Sequence, residues 1–299
     1  MSALLPTPLI QTAPDMFLKC ELLHPGRSHK ARVARALVDD AEIRGKIFPG
    51  CGRTLLERTG GNLGIGLAIE ARCRGYELML ITDPDYSPHK RAIARRLGAT
   101  VLDRLSDFPG CRNNQEAIDE VLAAEGERVY YLDQFHNPAN PKTHLQETGP
   151  ELLAQLVGGG CGRGAEIVLV GGLGTGATMH GISTVLKSWF DEVKVLAIEP
   201  PNCDLVSGVY GSHGLEGIAV GEAPPFFSSE DLDGVLAVDE GEAAAARMWL
   251  LRNFRLLVGP SSAANVAGIA KARESYRASD ACRARVFVAV LYDRGEDYD

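Results

Sequence analysis

The chain passes from an apolar run into a glycine-rich turn and then a helical pattern at Ile167-Val168-Leu169-Val170-Gly171-Gly172-Leu173-Gly174-Thr175-Gly176-Ala177-Thr178. The aliphatic run predicts a buried strand. The glycines let the backbone turn tightly and point its N–H groups at one position, and the helix N-terminus adds positive potential there. This stretch therefore predicts a strand–loop–helix unit that binds a phosphate, with Thr175 and Thr178 as additional hydroxyl donors.

The same alternation of apolar runs and helical patterns extends over the whole chain. Strands are predicted at Phe17-Leu18-Lys19-Cys20, Leu55-Leu56-Glu57, Leu78-Met79-Leu80-Ile81, Thr100-Val101-Leu102, 167–170, 193–198 and 286–291. Helices are predicted at about 28–44, 62–74, 87–97, 113–125, 142–156, 177–189, 240–254 and 262–277. Repeated βα units imply parallel sheets with helices on both faces. The predicted fold class is therefore α/β.

The chain length of 299 residues allows one large domain or two medium ones. Because each half carries its own strand–loop–helix unit, two domains are expected, each with a mostly parallel, twisted sheet flanked by helices. The first is assigned to residues 1–140 and includes a mobile substrate-binding part around 55–135. The second is assigned to residues 141–299 and carries the phosphate loop. The glycine-rich stretch 158–164 is interpreted as a flexible joint between two halves. A cleft between the halves is the expected ligand location.

Composition excludes several classes of function. A net charge of -8 argues against a nucleic-acid-binding surface. No run of about 18 apolar residues predicts a membrane span, and no signal-peptide pattern is recognised. The histidines form no HxxxH or HxH pair, so no metal site is predicted. The seven scattered cysteines, without a CxxC pair, favour reduced thiols in a cytoplasm; they are Cys20, Cys51, Cys73, Cys111, Cys161, Cys203 and Cys282.

One lysine is singled out by its position in Ser28-His29-Lys30-Ala31-Arg32. The apolar spacing from Val33 onward predicts a helix that Ser28 caps and that Gly45 ends. Lys30 then lies in the first turn, where the positive end of the helix dipole disfavours its ammonium form. A lysine that loses its proton easily is suited to forming an imine with an aldehyde.

Two further loops can bind a ligand. Arg58-Thr59-Gly60-Gly61-Asn62-Leu63-Gly64 follows a predicted strand and opens a helix, so its backbone N–H groups could hold a carboxylate. Asn62 can either cap that helix or contact a ligand. Late in the chain, Gly259-Pro260-Ser261-Ser262-Ala263-Ala264 opens another helix, where Ser261 is either an N-cap or a partner for a ring nitrogen.

A dinucleotide site is an alternative for the glycine loop. The run 172–177 also fits the GxGxxG/A pattern, and Glu199 closes the next strand, where a ribose-binding acid would stand. An NAD-dependent dehydrogenase is therefore a rival interpretation, although it leaves the motifs of the first half unused.

Taken in order, the motifs resemble the cysteine synthase family, whose members include O-acetylserine sulfhydrylases and the catalytic core of cystathionine β-synthase. These are pyridoxal 5'-phosphate enzymes of fold type II, with a fold like that of the tryptophan synthase β subunit. The motifs that carry the resemblance are Thr7-Pro8-Leu9, His24-Pro25, Ser28-His29-Lys30, 57–68, Gln134-Phe135-His136-Asn137-Pro138-Ala139-Asn140, Thr148-Gly149-Pro150-Glu151, Gly174-Thr175-Gly176, Gly259-Pro260-Ser261-Ser262 and Asp293-Arg294-Gly295-Glu296.

The resemblance implies a role for each motif. Lys30 is similar to the lysine that holds the cofactor covalently and moves the substrate α-proton. Asn62 corresponds to the partner of the pyridine 3′-oxygen, and Ser261 to the partner of the ring nitrogen. The implied phosphate cradle consists of Gly174, Thr175, Gly176, Ala177 and Thr178. The implied substrate-carboxylate clamp consists of Thr59, Gly60, Gly61, Asn62, Leu63 and Gln134.

The implied reaction is β-replacement on a serine derivative such as O-acetylserine or O-phosphoserine, through an aminoacrylate. A small nucleophile, sulfide in the parent reaction, then adds and gives cysteine or a related β-substituted amino acid. A β-eliminating lyase or dehydratase of the same fold, which stops at aminoacrylate, is an alternative. The family also implies a homodimer.

Several positions depart from the family pattern. Gly60 and Leu63 replace a serine and a threonine of the carboxylate loop, and each lost hydrogen bond to a charge is worth roughly 1.5–3 kcal/mol. Arg27 stands where glycine is usual, and it either meets an extra acidic group or points to solvent. The remaining departures are Ala31 for an aspartate, Ala219 for a glycine in 217–221, and Arg294 for a serine. Because these changes spare the cofactor motifs and alter the substrate motifs, a specialised paralogue is expected.

Overall fold

A computed structural model describes residues 4–84, 86–277 and 284–298. These residues divide into two compact units. The first unit comprises the described parts of Met1–Leu23 and Pro141–Glu296, and the second comprises those of His24–Asn140 and Asp297–Asp299. Cys282, one of the cysteines expected to be a reduced thiol, lies outside the described residues.

The elements follow one another as alternating strands and helices. The strands are β1 (Leu9–Ala13), β2 (Met16–Cys20), β3 (Thr54–Arg58), β4 (Glu77–Thr82), β5 (Thr100–Asp103), β6 (Val129–Tyr131), β7 (Glu166–Gly172), β8 (Glu192–Glu199), β9 (Cys203–Asp204), β10 (Val209–Tyr210), β11 (Gly234–Ala237) and β12 (Arg285–Leu291). The helices are α1 (Lys30–Ile43), α2 (Asn62–Arg74), α3 (Pro88–Arg96), α4 (Arg104–Asp107), α5 (Asn114–Glu125), α6 (Ala139–Thr143), α7 (Gly149–Gly158), α8 (Ala177–Lys187), α9 (Glu240–Phe254) and α10 (Pro260–Arg277).

The first unit is built on a six-stranded sheet in the order β1-β2-β12-β7-β8-β11. Only the pair β1 and β2 is antiparallel, and the other neighbours are parallel. Every residue of β7 is buried, because a parallel strand with helices on both faces contacts core on each side. The side chains of alternate strand residues pack into two separate apolar clusters. On one face Gly268 lets α10 approach closely, since a Cβ there would lie 3.0 Å from Val170 Cγ1.

The second unit is built on a four-stranded, fully parallel sheet in the order β5-β4-β3-β6. Two apolar clusters again cover its faces. Helices α1 and α2 pack closely at Gly66, where a Cβ would lie 3.0 Å from Ala34 Cβ and 3.2 Å from the Lys30 carbonyl oxygen. This close approach holds the start of α1, and with it Lys30, against α2.

The α/β fold class is confirmed, with parallel-rich sheets flanked by helices in both units. The seven predicted strands are all present, whereas β1, β6, β9, β10 and β11 were not predicted. These five contain at most five residues each. The two- and three-residue strands β6, β9 and β10 are too short for a local pattern to reveal them.

Two expectations about chain organisation differ from the structure. The stretch 158–164 connects α7 to β7 inside the first unit, so it does not join two halves. Residues 4–23, predicted with the N-terminal domain, group instead with the later half. They do so because β2 pairs with β12 along five residues, from Met16 opposite Phe287 to Cys20 opposite Leu291.

Candidate active site

Lys30 is the first residue of α1, as the helical pattern predicted within two positions. The expected cap is wrong, because His29 occupies the N-cap position and no side chain caps the helix. The Ser28 hydroxyl is instead buried and has no hydrogen-bond partner within the described residues. Burial lowers the pKa of Lys30 to about 8, while the charge of Glu57 acts in the opposite direction. The amine therefore loses its proton far more easily than an ordinary lysine, chiefly through desolvation.

A carboxamide lies beside this amine. Lys30 Nζ donates to Gln134 Oε1 over 3.3 Å. The backbone N–H of Gln134 in turn donates to Glu57 Oε2 over 3.2 Å, and Asn140 Nδ2 donates to the Gln134 carbonyl oxygen over 2.8 Å. Gln134, predicted as a substrate contact, is thus held in place beside Lys30. Glu57 was missed by sequence reasoning, although an acidic residue after Leu55-Leu56 in an apolar strand was a usable signal.

The 59–63 loop connects β3 to α2 in the same unit. Its Thr59 Oγ1 accepts a hydrogen bond from the Gly61 N–H over 3.3 Å, which shapes the turn. Asn62 begins α2, and the N-cap residue Gly61 provides no side-chain cap, so the first N–H groups of the helix lack side-chain capping. Such a helix start suits a carboxylate. Leu63, predicted as a substrate contact, has its side chain in the core at 2% exposure, so only its backbone can face a ligand.

Gly60 is enclosed by its neighbours. A Cβ at this position would lie 2.5 Å from Cβ and Cγ of Tyr86 and closer still to Thr82 Oγ1. Carbon atoms normally meet at about 3.5 Å or more. The missing serine side chain of the family pattern therefore has no room here unless Tyr86 or Thr82 moves.

The glycine loop of the first unit connects β7 to α8, as predicted. Gly176 adopts the left-handed conformation with φ of 79° and precedes α8, which has no side-chain cap. A Cβ on Gly174 would lie 2.8 Å from the Gly217 carbonyl oxygen, and one on Gly176 would lie 2.5 Å from Phe227 Cβ. Thr175 and Thr178 are both buried. Glycine is thus required by close packing, and the loop leaves a helix start that can receive an anion.

A histidine supports this loop. His144 is fully buried in a π-helical turn, His144–Thr148. Its Nε2 is 3.1 Å from Thr178 Oγ1, and its Nδ1 is 2.9 Å from Thr148 Oγ1. Thr148 lies in the Thr148-Gly149-Pro150-Glu151 motif, whereas the contact between His144 and Thr178 joins residues 34 positions apart. Local sequence spacing gave no signal for it.

The two serines at the start of α10 differ in their contacts. Ser262 Oγ accepts from the backbone N–H of Tyr292 over 2.8 Å and donates to Asp293 Oδ1 over 3.3 Å. Ser261 is 4% exposed, and its hydroxyl makes no hydrogen bond to any residue of the described ranges. A Cβ built on Gly217 would lie 3.9 Å from Ser261 Oγ. Ser261 is therefore the hydroxyl of the pair that is available to a ligand.

The segment 217–221 packs on the glycine loop rather than standing apart from it. The Ala219 N–H donates to the Leu173 carbonyl oxygen over 2.8 Å. Ala219 has φ of 47°, in the left-handed region that favours glycine. His213 Nε2 lies 3.3 Å from the Ala219 carbonyl oxygen, so both peptide groups of this strained residue are held.

The arginines that depart from the family pattern have contacts of their own. Arg27 has φ of 59° and its guanidinium, half exposed, pairs with Asp297 Oδ1 over 3.1 Å. Arg294 Nε donates to the Leu22 carbonyl oxygen over 3.2 Å. Arg27 therefore does not simply point to solvent, since a carboxylate of its own unit partly neutralises it.

Structural roles account for other candidates. Glu199 Oε2 accepts the Leu205 N–H over 2.7 Å, which ties the proposed ribose acid to its own loop. Burial raises the pKa of Cys20 to about 12, as in a structural thiol. The six cysteines in the described residues are free. Within residues 4–84, 86–277 and 284–298, no group of three or more His, Cys, Asp or Glu is arranged to hold a metal ion.

No described helix has the length and apolar character needed to cross a bilayer.

Comparison with known proteins places these residues in context. The sequence profile of the family described as "Pyridoxal-phosphate dependent enzyme" matches residues 2–291. A cysteine synthase of Staphylococcus aureus is 34% identical over 289 residues, covering 96% of this chain and 88% of that protein. A cystathionine beta-synthase of Apis mellifera is 33% identical over 259 residues, covering 84% of this chain and 49% of that protein.

Solved structures of similar proteins also match almost the whole chain. The crystal structure of an O-ureido-L-serine synthase superposes with a TM-score of 0.83 at 31% identity, covering 98% of this chain and 90% of that one. An O-acetylserine-dependent cystathionine beta-synthase from Helicobacter pylori superposes with a TM-score of 0.83 at 28% identity, covering 98% and 94%. The similarity therefore extends over both units.

Proposed function

The chain belongs to the pyridoxal-phosphate-dependent enzyme family, and we propose that it catalyses β-replacement on a serine derivative, with the substrate preference of a specialised paralogue. The observation that carries this proposal is the amine of Lys30, whose pKa burial lowers to about 8 and which contacts Gln134 at the start of α1. Such an amine is suited to covalent attachment and to proton transfer near neutral pH.

The residues present fit the cofactor. The uncapped start of α8, with Gly174 and Gly176 packed too tightly for a side chain, suits a phosphate group. The Ser261 hydroxyl, with no bond to a described residue, suits a ring nitrogen, and the buried Ser28 hydroxyl beside Lys30 also has no partner there. Within the first unit, the Ser261 hydroxyl and the glycine cradle are groups that a bound phosphate and ring would satisfy.

Each residue set has a part in the proposed reaction. Pyridoxal phosphate supplies an electron sink, which lets the α-proton and then the β-substituent of a bound amino acid leave. Lys30 Nζ takes the α-proton and later returns it, while Gln134 Oε1 accepts a hydrogen bond from that nitrogen. The helix start at Gly61 and Asn62 holds the substrate carboxylate through backbone N–H groups.

His144 prepares Thr178 for the phosphate. If Nε2 carries the imidazole proton, it donates to Thr178 Oγ1, and Nδ1 accepts from Thr148. The single proton of Thr178 is then free to bond a phosphate oxygen. Ser261 would pair with the ring nitrogen, and a neutral serine there would leave that nitrogen largely unprotonated, which suits elimination and addition at Cβ.

The substrate contacts support a specialised preference. Gly60 lacks the hydroxyl of the family pattern, and the room for one is taken by Tyr86 and Thr82. The carboxylate clamp therefore relies on Thr59 and backbone donors. The similar proteins carry names as different as cysteine synthase and O-ureido-L-serine synthase. We therefore expect β-replacement with a donor or nucleophile other than O-acetylserine and sulfide.

Steady-state assays of the holoenzyme test this function. O-acetylserine, O-phosphoserine and serine are each combined with sulfide and with amine nucleophiles, and products are identified by mass spectrometry. We expect one combination to dominate, and Lys30→Ala to lose about 10²–10⁴-fold in its rate. Full sulfhydrylase efficiency with O-acetylserine and sulfide would refute the specialised preference. Pyruvate released at the full rate without a nucleophile would instead establish the β-eliminating lyase.

We further propose a homodimer in a cytoplasm. The dimer is supported by the family resemblance, and the compartment by six free cysteines in the described ranges. Analytical ultracentrifugation would test the first, with a monomer at micromolar concentration as the contrary result. Fractionation of cells that express the chain at native level would test the second.

A further inference from the structure

The parallel pair of strands β7 and β12 in the first unit stops before β7 ends. Its register runs over five residue pairs and ends two residues before Gly172, the last residue of β7. At the start of this ladder, the Glu166 N–H donates to the Ala284 carbonyl oxygen over 3.1 Å. Ladder bonds of a parallel pair are evenly spaced and recur at every second residue. The same series, continued along both strands, would therefore join the Gly172 N–H to the Val290 carbonyl oxygen.

A carboxamide lies where this bond is expected. Asn265 of α10 is fully buried. Its Oδ1 accepts the Gly172 N–H over 2.9 Å, and its Nδ2 donates to the Val290 carbonyl oxygen over 2.9 Å. The orientation of the amide is fixed by these partners, because one is a donor and the other an acceptor. The Asn265 side chain therefore bridges β7 and β12 as an inserted peptide group would, and it keeps the two strand ends apart.

The next ladder position is also taken by side chains. A continued ladder would join the Tyr292 N–H to the Gly172 carbonyl oxygen. Instead, the Tyr292 N–H donates to Ser262 Oγ over 2.8 Å, and the Tyr292 phenol donates to the Gly172 carbonyl oxygen over 3.2 Å. The backbone groups that the opening of the strands would leave unpaired are thus all satisfied. The opening is a built feature of the fold, made largely by residues of α10.

This opening lies at the carboxyl end of β7, where the glycine loop begins. Ligands of open α/β sheets bind outside the carboxyl ends of the strands. Ser261, whose hydroxyl is available to a ring nitrogen, stands four residues before Asn265 in α10, so both lie on the same face of one helix. A single side chain, that of Asn265, therefore connects the helix that carries Ser261 to the strand that leads into the phosphate loop.

We propose that Asn265 is a positioning residue for the cofactor: its carboxamide, held between β7 and β12, sets the distance between the phosphate loop and Ser261. The proposal rests on the cofactor site of the proposed function, because it concerns a ligand whose phosphate and ring nitrogen are bound at the same time. A shift of a few tenths of an ångström weakens a hydrogen bond of such a ligand, since a contact at about 3.6 Å no longer qualifies as one. Inorganic phosphate reaches only the loop and is insensitive to this distance.

Binding to the full chain, freed of cofactor, tests the proposal without catalysis. The first probe is 4'-deoxypyridoxine 5'-phosphate, a ring phosphate without an aldehyde, whose dissociation constant is measured by titration calorimetry. The second is inorganic phosphate, measured by phosphorus NMR. Asn265→Ala should raise the dissociation constant of the ring phosphate about 3–10-fold, the worth of one hydrogen bond. It should leave that of inorganic phosphate within about twofold of wild type.

Matched variants separate positioning from general damage. Asn253→Ala removes a carboxamide at an exposed position of α9, where Nδ2 donates to the Trp249 carbonyl oxygen, and it should leave both dissociation constants unchanged. Ser261→Ala should weaken binding of the ring phosphate by itself. Adding Asn265→Ala to Ser261→Ala should then cause no further loss, because the distance no longer matters once the hydroxyl is gone.

A second variant covers the case in which Asn265→Ala does not fold, as judged by circular dichroism. Tyr292→Phe deletes only the hydroxyl that donates to the Gly172 carbonyl oxygen. It should weaken binding of the ring phosphate in the same direction and to a smaller extent, again without an effect on inorganic phosphate. Unchanged binding of the ring phosphate by Tyr292→Phe would then count against the proposal.

Two results with a folded Asn265→Ala would overturn the proposal. One is binding of the ring phosphate as tight as in wild type. The other is equal weakening of the ring phosphate and of inorganic phosphate, because the loop itself would then have collapsed. A wild-type chain that binds the ring phosphate but has no β-replacement activity would remove the proposed function and leave the positioning effect intact, so the two failures are distinguishable.

Discussion

Gly60→Ser restores the residue that the family pattern has at this position and should nevertheless harm the protein. The new Cβ would lie 2.5 Å from Cβ and Cγ of Tyr86 and closer to Thr82 Oγ1. Tyr86 is 39% exposed, but its Cβ moves only with the backbone. Thr82 is fully buried, and its hydroxyl donates to the Asp83 carbonyl oxygen. Forcing an extra group into such a place costs typically 1–3 kcal/mol.

We expect Gly60→Ser to lose about 2 kcal/mol of unfolding free energy, read from the urea midpoint at unchanged slope. Gly61→Ser is the matched control, since a Cβ on Gly61 would meet nothing within 4 Å, and it should stay within about 0.5 kcal/mol of wild type. Adding Tyr86→Ala to Gly60→Ser should recover roughly 0.5–1 kcal/mol through coupling.

Substrate binding provides the second readout of this prediction. Because the loop must shift to admit the side chain, the donor KM of Gly60→Ser should rise in spite of the new hydroxyl. A Gly60→Ser protein that is as stable as wild type and binds the donor more tightly would refute the reasoning, because the space would then not be limited by Tyr86 and Thr82.

Three further changes have outcomes that follow from the structure. Ala219→Gly should stabilise the chain by up to about 1 kcal/mol. Relief of the left-handed backbone is worth about 1–2 kcal/mol, whereas the entropic cost of glycine is about 0.5–1 kcal/mol. A lower urea midpoint for Ala219→Gly than for wild type would contradict this. Gly181→Ala should destabilise by about 1–3 kcal/mol, because its Cβ would lie 2.8 Å from the His144 backbone carbon, whereas Gly162→Ala, with open space around it, should be tolerated. Burial raises the pKa of Glu57 from 4.5 to about 8, so the folded state binds more protons than the unfolded state between these values. The contribution of Glu57 to stability is therefore present below pH 4.5 and is lost as the pH rises toward 8. In urea titrations from pH 5 to 8, the unfolding free energy of cofactor-free Glu57→Gln should decline less than that of wild type, and an equal decline would be the contrary result.

Local sequence patterns predicted most of the strands and helices of the fold. The helix over 240–254 was predicted with its observed bounds, and the apolar run at 167–170 identified one of the two central strands of its sheet. These features are readable because hydrophobic periodicity and turn residues act over a few positions. The same holds for Lys30 at the start of α1 and for the glycine loop before α8, since both depend on the order of neighbouring residues.

The sequence by itself thus determined the α/β class and the family, and it predicted the side chains suited to the chemistry. Tertiary structure alone decided that Glu57 would hold Gln134 against Lys30, that His144 would orient Thr178, and that Tyr86 would close the space at Gly60. The physical reason is that these contacts join residues distant in the chain or depend on close approach between elements. Strand pairing and helix packing set such distances, and no local spacing in the sequence encodes them.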